Sequence, residues 1–158
     1  MITVRDMGAA DREVWSQMRA AMWPAETAKA HGEWIDRILQ SEAAWGFIAE
    51  TPDGAPAGFA EVAIRDYANG CNSAPVPFLE GIWVRAELRR RGVGRALVAH
   101  VSCHLAARGF RELGSDSEID NRGSHAAHRG WVSRRPSGWC TLGNGCRAGD
   151  LFVARRVG

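Results

Sequence analysis

Arg89-Arg90-Arg91-Gly92-Val93-Gly94-Arg95-Ala96 stands between two runs of different character. Before it comes Phe78-Leu79-Glu80-Gly81-Ile82-Trp83-Val84, apolar and β-prone. After it, Leu97-Val98-Ala99-His100-Val101 and the residues through Ala107 carry apolar side chains at helical spacing. A basic, glycine-rich turn opening a helix aims unpaired backbone N–H groups and the positive end of the helix dipole at one point. Such a point binds anions, and a diphosphate is its usual occupant. The turn therefore suggests a domain that handles a nucleotide or a coenzyme.

Working outward, Ile2 to Arg5 alternates as a short strand. Ala10 to Met22 reads as a helix with Val14, Met18 and Ala21 on one side, and Pro24 ends it. Glu26 to Leu39 reads as a second helix with Trp34, Ile35 and Ile38 as its apolar stripe. Strands are expected over Trp45 to Glu50 and Ala57 to Ile64, joined through the turn residues Pro52-Asp53-Gly54. Asp66 to Pro77 is a polar loop; Phe78 to Val84 is a strand, Val93 to Arg108 a helix, Glu112 to Ser115 a strand and Arg122 to Arg129 a short helix. This order suggests one mixed α/β sheet with helices on both faces.

A chain of 158 residues suits a single domain with one core. The N-terminus has no apolar targeting segment and no run approaches bilayer length, so a cytoplasmic protein without membrane contact is expected. Cys71, Cys103, Cys140 and Cys146 lack paired spacing and read as buried or idle thiols, with no metal expected. The net charge of +2 hides an asymmetry: residues 1–129 hold 15 Lys/Arg against 17 Asp/Glu, whereas residues 130–158 hold five Arg against Asp150 alone. The basic tail has no interleaved nucleic-acid pattern, and no nucleic-acid partner is expected.

Taken together, the chain resembles the GCN5-related N-acetyltransferase (GNAT) superfamily. The coenzyme A signature of that superfamily, Gln/Arg-x-x-Gly-x-Gly/Ala, is matched by Arg89-Arg90-Arg91-Gly92-Val93-Gly94. Trp23-Pro24, Asp66-Tyr67-Ala68-Asn69-Gly70-Cys71, Pro77-Phe78-Leu79-Glu80-Gly81-Ile82 and Ser115-Asp116 resemble the aminoglycoside 6′-N-acetyltransferase branch. The likeness covers residues 1–129. It implies a GNAT fold, acetyl-CoA as cosubstrate, an aminoglycoside as acceptor and a homodimer.

Acetyl transfer to an amine needs a held thioester, a neutral amine, an oxyanion donor and a proton for the departing thiolate. An amine whose pKa lies about two units above ambient costs roughly 2.7 kcal/mol to neutralise, and a carboxylate can bind the ammonium and then accept its proton. Glu80 is a lone carboxylate in an apolar strand, expensive there unless partnered. The resemblance makes Glu80 and Asp116 the catalytic and substrate-binding carboxylates; an outward-facing Glu80 and a capping Asp116 are the plainer alternatives. It puts oxyanion donors near Ile82 and Trp83, where family members splay the strand from its neighbour. It assigns the coenzyme to Ile82, Trp83 and Val84, to Arg89, Arg90, Arg91, Gly92, Val93, Gly94 and Arg95, and to Asn121. His128 aligns with the family's thiolate-protonating tyrosine, or is a surface histidine. Trp23 and Tyr67 resemble acceptor-lining aromatics, although core packing suits Trp23 equally. The acidic surplus, with Asp66, Glu80, Asp116, Glu118 and Asp120 near this region, favours a polycation.

The likeness stops near Arg129. Gly130-Trp131-Val132-Ser133-Arg134-Arg135-Pro136-Ser137-Gly138-Trp139-Cys140 has neither strand nor helix periodicity. Codons chosen for Gly130 to Asn144, read from the third base of the Gly130 codon, spell Leu-Gly-Phe-Glu-Glu-Thr-Glu-Arg-Val-Val-Tyr-Phe-Arg-Lys, the ending of the family. Residues 1–129 are thus expected to form the acetyltransferase domain and 130–158 an out-of-frame tail, with the family's last strands altered or missing. Leu151-Phe152-Val153-Ala154 is the run that could supply a short strand in their place. Two alternatives remain open: an acetyltransferase for another amine, such as a polyamine or a protein N-terminus, and a non-catalytic remnant that binds coenzyme A.

Overall fold

The computed structural model describes residues 1–69, 71–116 and 152–156. Their order is β1 (Thr3–Asp6), a 3-10 turn (Ala9–Asp11), α1 (Arg12–Met22), α2 (Ala28–Leu39), β2 (Ala44–Glu50), β3 (Pro56–Arg65), β4 (Val76–Val84), a 3-10 turn (Ala86–Leu88), α3 (Val93–Ala106), β5 (Glu112–Asp116) and β6 (Phe152–Arg156). The strands form one sheet in the order β1-β2-β3-β4-β5-β6. The first four are antiparallel neighbours; β4, β5 and β6 run parallel. This is the mixed sheet expected. Among the described residues no helix is long and apolar enough to cross a membrane.

Alternation along the central strands sorts side chains between two faces. Phe47, Ala49, Ala60, Val62 and Leu79 pack with Val93, Leu97, Val101 and Leu105 of α3. Ile48 and Phe59 point the other way, against Trp15 and Met18 of α1 and Ile35 and Ile38 of α2. Helices thus cover both faces. Thr27 caps α2, its Oγ1 accepting the Ala30 amide at 3.1 Å, which sets the start of α2 at Ala28, two residues later than the expected Glu26.

The inward face of α1 differs from the expectation. Trp15, Met18 and Arg19 are buried, whereas Val14 is half-buried and Ala21 exposed. Trp15 fits because Gly46 of β2 has no side chain: a Cβ there would lie 2.3 Å from the indole. On α2, His31 joins Ile35 and Ile38 inside, and Trp34 is half-buried at the margin. The expected loop after Asp66 yields its last residues to β4, which begins at Val76. The tail does contribute a strand: β6 pairs with β5 at five positions, from Glu112↔Phe152 to Asp116↔Arg156. The helix expected over Arg122 to Arg129 lies outside the described residues.

Candidate active site

The anion turn is built by backbone conformation. Arg89 is extended, Arg90 has φ +61° and Gly92 has φ +89° at the position preceding α3. Left-handed backbone at Gly92 costs little because glycine has no Cβ. The Ala96 amide donates to Gly92 O at 2.9 Å, so the amides of Val93, Gly94 and Arg95 precede the intrahelical ladder. Arg89 turns back and donates from Nε to Val84 O at 3.1 Å, which ties the turn to the end of β4. Arg90, Arg91 and Arg95 remain exposed around the helix start. Amides before the ladder, exposed guanidinium groups and a left-handed glycine together suit a diphosphate.

β4 and β5 pair only through Phe78↔Gly114 and Leu79↔Ser115. From Glu80 to Val84 the β5 side of β4 has no ladder partner among the described residues, while the other side stays bonded to β3. Among the described residues, the β5-side backbone of Ile82, Trp83 and Val84 is thus without a strand partner, and Arg89 ties Val84 O to the anion turn. This gap matches the splay expected there and suits an extended pantetheine arm.

A bulge sits at the mouth of this gap. Glu61 pairs with Gly81 but Val62 pairs with Leu79, which leaves Glu80 as the extra residue of β4. Its carboxylate is 15% exposed and is held by Arg65, whose Nε and Nη2 donate at 2.8 and 2.6 Å. Glu80 also lines a cavity of about 470 Å³ with Trp23, Trp34, Glu26, Glu33 and Glu61. Trp23 lies over Gly81, where a Cβ would come within 2.5 Å of the indole. Tyr67 is 72% exposed and lines a second hollow of about 520 Å³, together with Arg65, Asp66 and Phe78. The Arg65–Glu80 pair thus joins the two hollows.

The geometry brings Glu80 and Trp23 into one cavity and places Tyr67 in its neighbour. Asp116 follows Ser115, the partner of Leu79, so its backbone stands across from the bulge. Asn121 and His128, with Glu118 and Asp120, lie outside the described residues. Three further residues enter that the sequence did not single out, Arg19, Glu61 and Arg65, and Trp34, expected in the apolar stripe of α2, joins the cavity wall. Glu61 carried a signal, because Phe59-Ala60-Glu61-Val62 is a second apolar strand with a lone carboxylate. Burial holds its carboxyl above the ordinary carboxylate range, against the opposing pull of Arg19 and the indoles of Trp15 and Trp34. All three partners are donors, the complement that carboxylate oxygens accept from, and they offset part of that burial cost. Among the described residues, no group of His, Cys, Asp and Glu could hold a metal ion.

Comparison with known proteins agrees with this architecture. The aminoglycoside N(6')-acetyltransferase type 1 of Stenotrophomonas maltophilia is 42% identical over 128 residues, covering 80% of this chain and 82% of that protein. The enzyme of the same name from Salmonella enteritidis is 40% identical over 127 residues, covering 80% and 87%. Among solved structures, AAC(6')-Iy in complex with the bisubstrate analogue CoA-S-monomethyl-acetylneamine superposes with a TM-score of 0.80 at 35% identity, covering 92% of this chain and 99% of that one. The aminoglycoside 6'-N-acetyltransferase AAC(6')-Ih from Acinetobacter baumannii gives a TM-score of 0.78 at 25% identity, covering 92% and 99%. The acetyltransferase (GNAT) family model matches residues 12–131, a span that runs from α1 through the bulge and the anion turn to beyond β5, and the chain belongs to that family.

Proposed function

We infer that this protein is an aminoglycoside 6′-N-acetyltransferase, moving acetyl from acetyl-CoA to the 6′-amine of the antibiotic by direct attack in a ternary complex. The observation that carries this reading is the place of Glu80. It stands at the bulge where the gap beside β4 meets a cavity lined by indoles and carboxylates. The named activities of the relatives agree with it.

Acetyl-CoA, when bound, supplies an activated thioester. The amides of Val93, Gly94 and Arg95, with Arg90 and Arg91 nearby, hold its diphosphate, and the open edge of β4 at Ile82 to Val84 holds its extended arm. Backbone N–H groups near Ile82 and Trp83 donate to the acyl oxygen as negative charge develops there. Glu80 of the acceptor cavity, together with Asp116 from the end of β5, binds the ammonium and takes up its proton, so that the amine attacks in its neutral form. Trp23 and Tyr67 bracket the amino sugar, and His128 returns a proton to the departing sulfur. The carboxylates Glu26 and Glu33 add negative potential for the remaining amines of a polycation.

The test is thiol release from acetyl-CoA by the purified 158-residue protein, offered tobramycin, kanamycin, spermidine or peptides, with NMR of the product. Release with the aminoglycosides and acetylation at the 6′-nitrogen are expected. Release with spermidine or peptides but none with aminoglycosides would replace the acceptor in this reading.

A further inference from the structure

Behind the acceptor cavity lies a buried ion pair that the chemistry above does not use. Glu61 of β3 is 1% exposed and Arg19 of α1 is 4% exposed, and Arg19 Nη1 donates to Glu61 Oε2. Strand alternation turns Glu61 to the same face as Phe59, towards α1 and α2. There its Oε1 accepts Trp15 Nε1 at 2.5 Å and its Oε2 accepts Trp34 Nε1 at 3.1 Å. The guanidinium carbon of Arg19 lies 4.5 Å from the centroid of the Trp23 ring and 5.3 Å from that of Trp34. Contact is therefore continuous from Glu61 through Arg19 to Trp23, and from Trp23 to Gly81 beside Glu80.

A buried cation is an odd component for the wall of a cavity that accepts a polycation; Arg37, which also lines this cavity, is exposed to solvent. Arg19 lines that wall, and Glu61 is its carboxylate partner among the described residues. With Glu61 ionised the pair is neutral, and the guanidinium serves as a flat filler between two indoles. With Glu61 neutral, the same guanidinium is an uncompensated buried charge within reach of the ligand, in a setting where water screens little.

We propose that Glu61 is a positioning and specificity-determining residue for the cationic acceptor: it cancels the charge of Arg19 and, through Arg19 and Trp34, fixes the indole walls of the cavity. This rests on the reading of that cavity as the acceptor site. Glu61 does not take the substrate proton; its oxygens are occupied by the indoles and the guanidinium.

The experiment compares steady-state kinetics of wild type, Glu61→Gln, the Arg19→Gln/Glu61→Gln double variant and Trp34→Phe, with tobramycin and acetyl-CoA varied separately at low and high salt. Glu61→Gln is expected to raise the tobramycin KM by about tenfold or more, the effect of one uncompensated charge. The rise should shrink at high salt, and the acetyl-CoA KM should stay within about twofold of wild type. The double variant keeps a side-chain hydrogen bond but removes both charges, and should bring the tobramycin KM back to within about threefold of wild type. Trp34→Phe loses one donor to Glu61 and should raise the tobramycin KM by about threefold, again selectively. If Glu61→Gln does not fold, as judged by circular dichroism, Trp34→Phe decides. An unmoved tobramycin KM in the folded variants, a salt-independent rise in Glu61→Gln, or equal changes for both substrates overturns the proposal. Wild-type protein inactive on every aminoglycoside overturns the functional reading itself, whereas active wild type with an indifferent Glu61→Gln overturns only this inference.

Discussion

Glu80 is held in a bidentate grip by Arg65, so an incoming ammonium must share or displace a guanidinium that already occupies the carboxylate. That arrangement keeps a half-buried carboxylate aimed, and it limits which cations can compete for it: a protonated amine tethered in the right place gains what a dilute cation does not. Glu80→Gln preserves the shape and removes the base. Its kcat/KM for tobramycin should fall by roughly 10²–10⁴-fold with the acetyl-CoA KM unchanged, as stopped-time thiol assays would read. A loss below about tenfold would assign proton removal elsewhere. The rule that marked Glu80 in the sequence, a carboxylate alone in an apolar strand, applies equally to Glu61. Their different fates were not legible, because they depend on partners remote in sequence: Arg65 for one, Arg19 and two indoles for the other. Nothing in the spacing of α1 announces that Arg19 turns inward, since the side chain that compensates it belongs to β3.

At the scale of elements, the turn into α3 was the most legible part of the chain. Glycine, basic residues and a following helical period all speak locally, and the helix begins at Val93 as read. The β4 bulge was less legible: a one-residue slip leaves the composition of a strand untouched, and Gly81 after Glu80 is its only local trace. The inward face of α1 is hidden from its own sequence for a related reason, because Trp15 fits only where Gly46 of the facing strand leaves room. The anion turn can be tested at its backbone. A Cβ at Gly92 meets nothing within 4 Å, so Gly92→Ala adds no clash and isolates the cost of φ +89°. That cost is about 1–2 kcal/mol, expected as a melting temperature lower by about 2–8 °C. Because the strain relaxes by tilting the first-turn amides away from their common point, the acetyl-CoA KM should rise several-fold while the tobramycin KM holds. Calorimetry and kinetics on one preparation check both; an unchanged acetyl-CoA KM would remove these amides from the diphosphate site.

At the scale of the whole molecule, the strands β1 to β5 follow the chain in simple order, and the family match ends at residue 131. Beyond it the sequence loses periodicity, and the parallel strand β6 from Phe152 to Arg156 covers the outer edge of β5. That strand lies within the basic stretch in which five arginines face one aspartate. A covered edge matters because an open row of N–H and C=O groups recruits other chains. If residues 130–158 are read out of frame, two measurements follow. The gene should spell Leu-Gly-Phe-Glu-Glu-Thr-Glu-Arg-Val-Val-Tyr-Phe-Arg-Lys when read from the third base of codon 130, and codons that do not would end the idea. A protein carrying residues 1–129 followed by that ending should then melt higher and turn over tobramycin faster than the 158-residue chain. The restored segment brings three glutamates in place of the arginines of the present tail, and so extends the negative field that a polycationic acceptor meets. Its Val-Val-Tyr-Phe run has the β-branched and aromatic character of a buried strand, which Ser133 to Cys140 lacks. Equal melting temperatures and equal rates for the two proteins would show that the present tail already completes the sheet.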